Sequence, residues 1–143
     1  MYKETRLTRL AFTAAALLAT SGWAAAADLT VRVTGIADAA GAIRVAACTE
    51  AEFLKTCRLV ASAPAKAGSL DVRIGAVPPG PYAIQAFHDR NGDGKLATNM
   101  LGIPSEPFGF SRSPSMNFGP PAFADAVVEV DARVVIVPVA LRS

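Results

Sequence analysis

The residues best suited to chemistry lie together in the chain. Asp89, Asn91 and Asp93 stand at alternate positions, with Gly94 in the sixth place and Lys95 in the seventh. This is the first half of the calcium loop D-x-N-x-D-G. A hard cation wants several oxygen ligands, and the glycine lets the chain wrap around it. The ninth position is Ala97 and the twelfth is Met100, so Asn99 or Glu106 would have to fold back in place of the usual bidentate glutamate. The competing reading is a long β-hairpin whose Asn-Gly and Asp-Gly pairs supply positive φ. Ca2+ is the ion this pattern suits, and neither reading requires a cofactor.

His88, the sole histidine, precedes this loop. A histidine can titrate near neutral pH, act as a general base or ligate a metal. Paired with a nearby carboxylate it would make a hydrolase. Asp89 is adjacent, but neighbouring strand residues face opposite ways, so the two do not form a dyad directly. The bland reading is a strand-end histidine with a structural hydrogen bond. Ser105, Ser111, Ser113 and Ser115 sit in no nucleophile elbow. Gly92 and Gly94 lack the strand-to-helix context of a phosphate cradle.

Beyond the loop, residues 97 to 124 hold five of the ten prolines and four of the seven phenylalanines, Phe108, Phe110, Phe118 and Phe123. Disordered chain is poor in aromatics, so this long Pro/Phe-rich loop is expected to be an ordered flap over the sheet face that carries Phe87. Phe87, His88, Glu106, Phe108, Phe110 and Phe118 then mark a ligand surface, because aromatic rings offer contact area at little entropic cost. Its partner would be a cell-envelope polymer, a peptide or a small apolar ligand. The plainer alternative is that the rings only close a minor core.

Strands must position these groups. Leu29 to Thr34 alternates apolar and polar, Ala37 to Gly41 is a turn, and Ile43 to Cys48 reads as the hairpin partner of the first strand. Thr49 and Glu52 have capping-box spacing, which predicts one or two helical turns up to Lys55. Leu59–Ala63, Leu70–Ile74 and Tyr82–His88 continue the strands. In the last of these, Tyr82, Ile84, Ala86 and His88 share one face, and Phe87 points the other way. Ala126–Val130 and Arg133–Leu141 complete the set, with a tight turn at Asp131-Ala132. The sum is an all-β, antiparallel β-sandwich with one short helix.

The chain has 143 residues, enough for one domain. Residues 1–27 read as a Sec-type signal peptide: Lys3, Arg6 and Arg9, then the apolar run Leu10–Thr20, then small residues that place the cut after Ala27, with a cut after Ala26 nearly as good. That leaves residues 28–143 as a single exported domain, periplasmic or secreted. The leader carries three of the 14 Lys/Arg and one of the 12 Asp/Glu, so the mature chain has equal numbers of each sign. Such a domain has no electrostatic footprint for nucleic acid, and no mature stretch is long enough to span a membrane. Cys48 and Cys57 are then one disulfide, worth about 2.5–3 kcal/mol in chain entropy.

The run AFHDRNGDGKLATNMLGIPSEPFGFS, followed by FGPPAFADA, resembles the family called domain of unknown function 2141. The positions that fit include Ala86, Asp89, Asn91, Gly94, Lys95, Leu96, Thr98, Asn99, Gly102, Ile103, Pro104, Glu106, Gly109 and Phe110. Asp93 stands where the family has an asparagine and Ala97 where it has an aspartate, which removes a carboxylate from the loop. The resemblance implies an exported bacterial protein with an immunoglobulin-like or transthyretin-like sandwich, and implies no activity. The reading as a whole is a non-catalytic binding or structural module of the cell envelope that uses the Asp89–Phe123 surface; the alternative is the hydrolase built on His88.

Overall fold

The structure, a computed structural model, describes residues 25–143. The charged start and apolar run of the expected leader lie outside the described residues. The strands are β1 (Ala27–Ile36), β2 (Ala42–Cys48), β3 (Leu59–Pro64), β4 (Gly68–Val77), β5 (Gly80–Asp89), β6 (Phe108–Phe110), β7 (Val127–Val130) and β8 (Val134–Ala140), with one helical turn, α1 (Phe123–Ala126). They form two sheets. One runs β4-β1-β8; the other runs β3-β2-β5-β6, with β7 also paired to β5.

The layers follow from strand alternation. β1 turns Ala27, Leu29, Val31 and Val33 inward and wholly buried, and β5 turns Tyr82, Ile84 and Ala86 inward from the other sheet. Ile43 and Val45 of β2 and Val137 and Val139 of β8 complete one continuous apolar cluster between the sheets. Burial on this scale contributes roughly 1.5–3 kcal/mol for each large aliphatic side chain removed from water.

Three expectations about connectivity are corrected. First, β1 and β2 are not a hairpin: β1 pairs with β4 and β8, whereas β2 pairs with β3 and β5. The 37–41 turn therefore crosses between sheets. It packs so closely on the far side that a Cβ on Gly41 would lie 2.0 Å from the Asp89 carbonyl oxygen, and Gly41 takes φ 65°. Asp131-Ala132 likewise leads from one sheet to the other. Second, the fold is not wholly antiparallel, because β1 and β8 run parallel with Asp28 opposite Val134 and Thr34 opposite Ala140. Third, the expected helix at Thr49–Lys55 is only a set of hydrogen-bonded turns. Phe53 N–H reaches the Thr49 carbonyl at 2.9 Å and the Glu52 carboxylate accepts Thr49 N–H at 3.2 Å, as a capping box requires. Leu54 then takes φ 59°, which ends any helix and brings Cys57 back to Cys48. The two cysteines are joined, with Cα atoms 5.1 Å apart.

Residues 97–124 are not one long loop either. Phe108-Gly-Phe110 is a strand that pairs with Gln85–Phe87 of β5, and residues 123–126 form the helical turn. Gly109 permits this: a Cβ there would lie 2.1 Å from the Ala140 carbonyl oxygen, so β6 sits flush against the end of β8. Phe108 and Arg142 exchange backbone hydrogen bonds at 2.9 and 2.8 Å, which ties the two sheets together along this side.

Candidate functional site

Aromatic and polar side chains gather on the outer face of the larger sheet. Alternation along β5 puts Ala83, Gln85, Phe87 and Asp89 there. Directly opposite them stand Cys48, Ala46 and Arg44 of β2, and Phe110 and Phe108 of β6 face Gln85 and Phe87. A second apolar cluster forms on this face from Ala46, Cys48, Phe53, Ala83, Phe110 and Ala126. Its rings meet edge to face: Phe53 with Phe110 at 5.7 Å, Phe53 with Phe123 at 5.8 Å and Phe108 with Phe110 at 6.0 Å. The phenylalanines therefore do close a minor core. Phe108 and Phe110, with Phe87, also floor an open groove of about 920 Å³ walled by Leu54, Ile103, Pro104, Met116 and Pro120. A smaller depression of about 410 Å³, lined by Arg44, Val60, Ser62 and Gly94, adjoins it and shares Gln85 and Phe87. The expected flap thus flanks Phe87 instead of covering it, and Phe87 remains partly exposed.

The polar loop after β5 is organised from within. Asp89 is wholly buried; its Oδ2 accepts the Arg44 guanidinium and the Gly94 N–H at 2.9 Å, and its Oδ1 is buried without a partner. Burial would push the Asp89 carboxyl up, but the hydrogen bonds from Arg44 and Gly94 outweigh it and hold the group below the usual carboxylate range. Asn91 Oδ1 accepts Asp93 N–H at 3.2 Å and Asp93 Oδ1 accepts Lys95 N–H at 2.8 Å. Asn99 Oδ1 accepts Leu101 and Ile103 N–H at 2.9 and 3.0 Å. Glu106, also buried, closes the base of the loop by accepting Arg90 N–H and Ala97 N–H, each at 3.0 Å.

The structure thus brings Asp89, Asn91, Asp93 and Lys95 into one turn, while Asn99 and Glu106 each organise another stretch of backbone. Among the described residues, no group of three or more His, Cys, Asp or Glu side chains is placed to hold a metal ion. His88 lies on the opposite, inner face and has no exposed surface. Its Nε2 donates to the Ala40 carbonyl at 2.6 Å, and Asp38 Oδ1 is 3.8 Å away. A substrate on the outer face cannot touch it. Phe118 is fully exposed at the groove's edge, beside the lining residues Asn117 and Gly119. Of the proposed ligand surface, Phe87, Phe108 and Phe110 line the groove together, Phe118 is only a chain neighbour of lining residues, and His88 and Glu106 are buried.

Sequence reasoning passed over Arg44, Gln85, Leu54 and Ile103. Arg44 and Gln85 carried a usable signal, since each is a polar residue on the strand face that also holds Ala46 or Phe87.

A family model described as "Uncharacterized protein conserved in bacteria (DUF2141)" matches residues 31–137. The chain belongs to this family. The DUF2141 match begins inside β1, ends inside β8 and includes the whole Asp89–Phe110 segment. No curated protein and no solved structure matches the chain.

Proposed function

We propose that this DUF2141 protein is an exported binding module that holds an apolar ligand in the groove on the outer face of its larger sheet. One observation carries the reading. Three of the eight large hydrophobic side chains left exposed among the described residues, Leu54, Val60 and Ile103, line this groove and its neighbour, and two more, Leu101 and Phe118, are chain neighbours of lining residues. Scattered exposed apolar residues are ordinary, but a concentration of them around one concave, aromatic-floored face marks a contact site. Export is supported by the leader pattern and by the joined cysteines, which suit an oxidising compartment. Among the described residues no helix is long and apolar enough to cross a membrane. The two facing sheets suit an immunoglobulin-like or transthyretin-like sandwich. A groove of this size favours a small apolar ligand over an envelope polymer.

The test is binding of the neutral dye N-phenyl-1-naphthylamine to the mature, disulfide-bonded protein. Its fluorescence is expected to rise on binding. The double variant Ile103→Asp, Phe118→Asp is expected to weaken binding by about tenfold with an unchanged Tm, because both side chains are exposed in the fold. An affinity untouched by these changes, or a dye that does not bind, would remove the groove from consideration.

A further inference from the structure

The character of the ligand can be narrowed, and this step rests on the groove being a binding site. The two depressions share Gln85 and Phe87, so they form one cleft that crosses β5. Its ends differ. The apolar end is floored by Phe108 and Phe110. The polar end holds Arg44, Gln85 and Ser62.

The charges are one-sided as well. Arg44, Lys55 and Arg142 line the cleft, and no Asp or Glu side chain does. Residues 28–143 as a whole carry both signs equally, and the outer face of the smaller sheet pairs them, Arg32 with Asp71 and Arg73 with Asp28. Arg142 shares its stretch of wall with Ser143, so the weight falls on Arg44 and Lys55. Arg44 has five N–H donors and gives Nε to Asp89. Asp89 is wholly buried, whereas the Arg44 side chain is 34% exposed, so the guanidinium is what the pair presents to the cleft. Its outer nitrogens make no hydrogen bond within the described residues, and Nη2 lies 3.7 Å from where a Cβ on Gly94 would stand.

We infer that the cleft takes a single-chain amphiphile with a carboxylate head, the head on the free edge of the Arg44 guanidinium and the chain lying across Phe87 onto Phe108 and Phe110. A planar guanidinium offers two parallel N–H groups to a carboxylate, and such charge-assisted bonds are about twice as strong as neutral ones.

Displacement of the neutral dye from the mature protein by three ten-carbon ligands tests this: decanoate, 1-decanol and decyltrimethylammonium, all kept monomeric. Decanoate is expected to displace the dye at about tenfold lower concentration than decanol, with the ammonium weakest. Added salt is expected to narrow the gap. Arg44→Gln is expected to erase the difference between decanoate and decanol, and Arg44→Lys to retain part of it. Should Arg44→Gln fail to fold, the ranking of the three ligands on the unaltered protein decides alone. Decanol equal to decanoate would overturn the carboxylate assignment and leave the groove intact. Displacement by none of the three would overturn the groove as an apolar-ligand site along with it.

Discussion

Ser111 holds one of the weak points of the fold. β5 shares one edge between β6, opposite Gln85–Phe87, and β7, opposite Gly80–Ala83, and Ile84 falls in the gap. Both backbone groups of Ile84 would be orphaned there. Ser111 supplies the partners: its N–H donates to the Ile84 carbonyl at 2.8 Å, and its Oγ accepts the Ile84 N–H at 2.9 Å while donating to the Ala126 carbonyl. Ser111→Ala is expected to cost about 1–3 kcal/mol in denaturant unfolding, the penalty for stranding buried backbone groups. A loss below about half a kcal/mol would mean that water replaces the hydroxyl. Asp89 acts in the same structural sense. Because its folded pKa is depressed, its contribution is whole above about pH 4 and is lost as pH falls through the lower folded value. Acid unfolding should show this loss, and Asp89→Asn should flatten that limb of the curve. The spacing of Asp89, Asn91 and Asp93 was conspicuous in the sequence, but it does not tell whether side-chain oxygens face a cation or the loop's own N–H groups.

Strands were legible where a period of two runs for five or more residues, as in Leu29–Thr34, Leu70–Ile74 and Tyr82–His88. Their partners were not. Pairing is set by contacts far apart in the chain, and a turn between neighbouring strands looks the same whether it folds back or crosses to the other layer. β6 escaped notice because three residues cannot display a period, and the turn at Thr49–Lys55 looked helical because its cap is genuine and only Leu54 breaks it. β8 exposes Val134 and Ile136 on an edge strand, and Pro138 withholds a donor there, a known guard against edge-to-edge pairing. The start of β1 bears on where the proposed leader would be cut. Ala27 is wholly buried opposite Val77, so a cut after Ala27 would delete a core residue. The intact mass of exported protein is expected to show Ala27 as the first residue. A chain beginning at Asp28 would mean that β1 tolerates the loss.

At the scale of the molecule, the two layers were inferable because inward-facing apolar sets recur on strand after strand. The groove was not, since its floor comes from β5 and β6, its walls from residues near 54, 103 and 116–120, and its polar end from β2. Composition could point to a proline- and phenylalanine-rich stretch but could not say that it would border a hollow. The parallel union of β1 with β8 has a further consequence. The strand at residues 27–36 lies between β4 and a segment that begins about a hundred positions later, so the smaller sheet stays incomplete until residues 134–140 are present. Contacts of such separation close late and slowly. Under the export proposed above, a nascent copy threading through a secretion pore would therefore stay pliable until its final strand had come through.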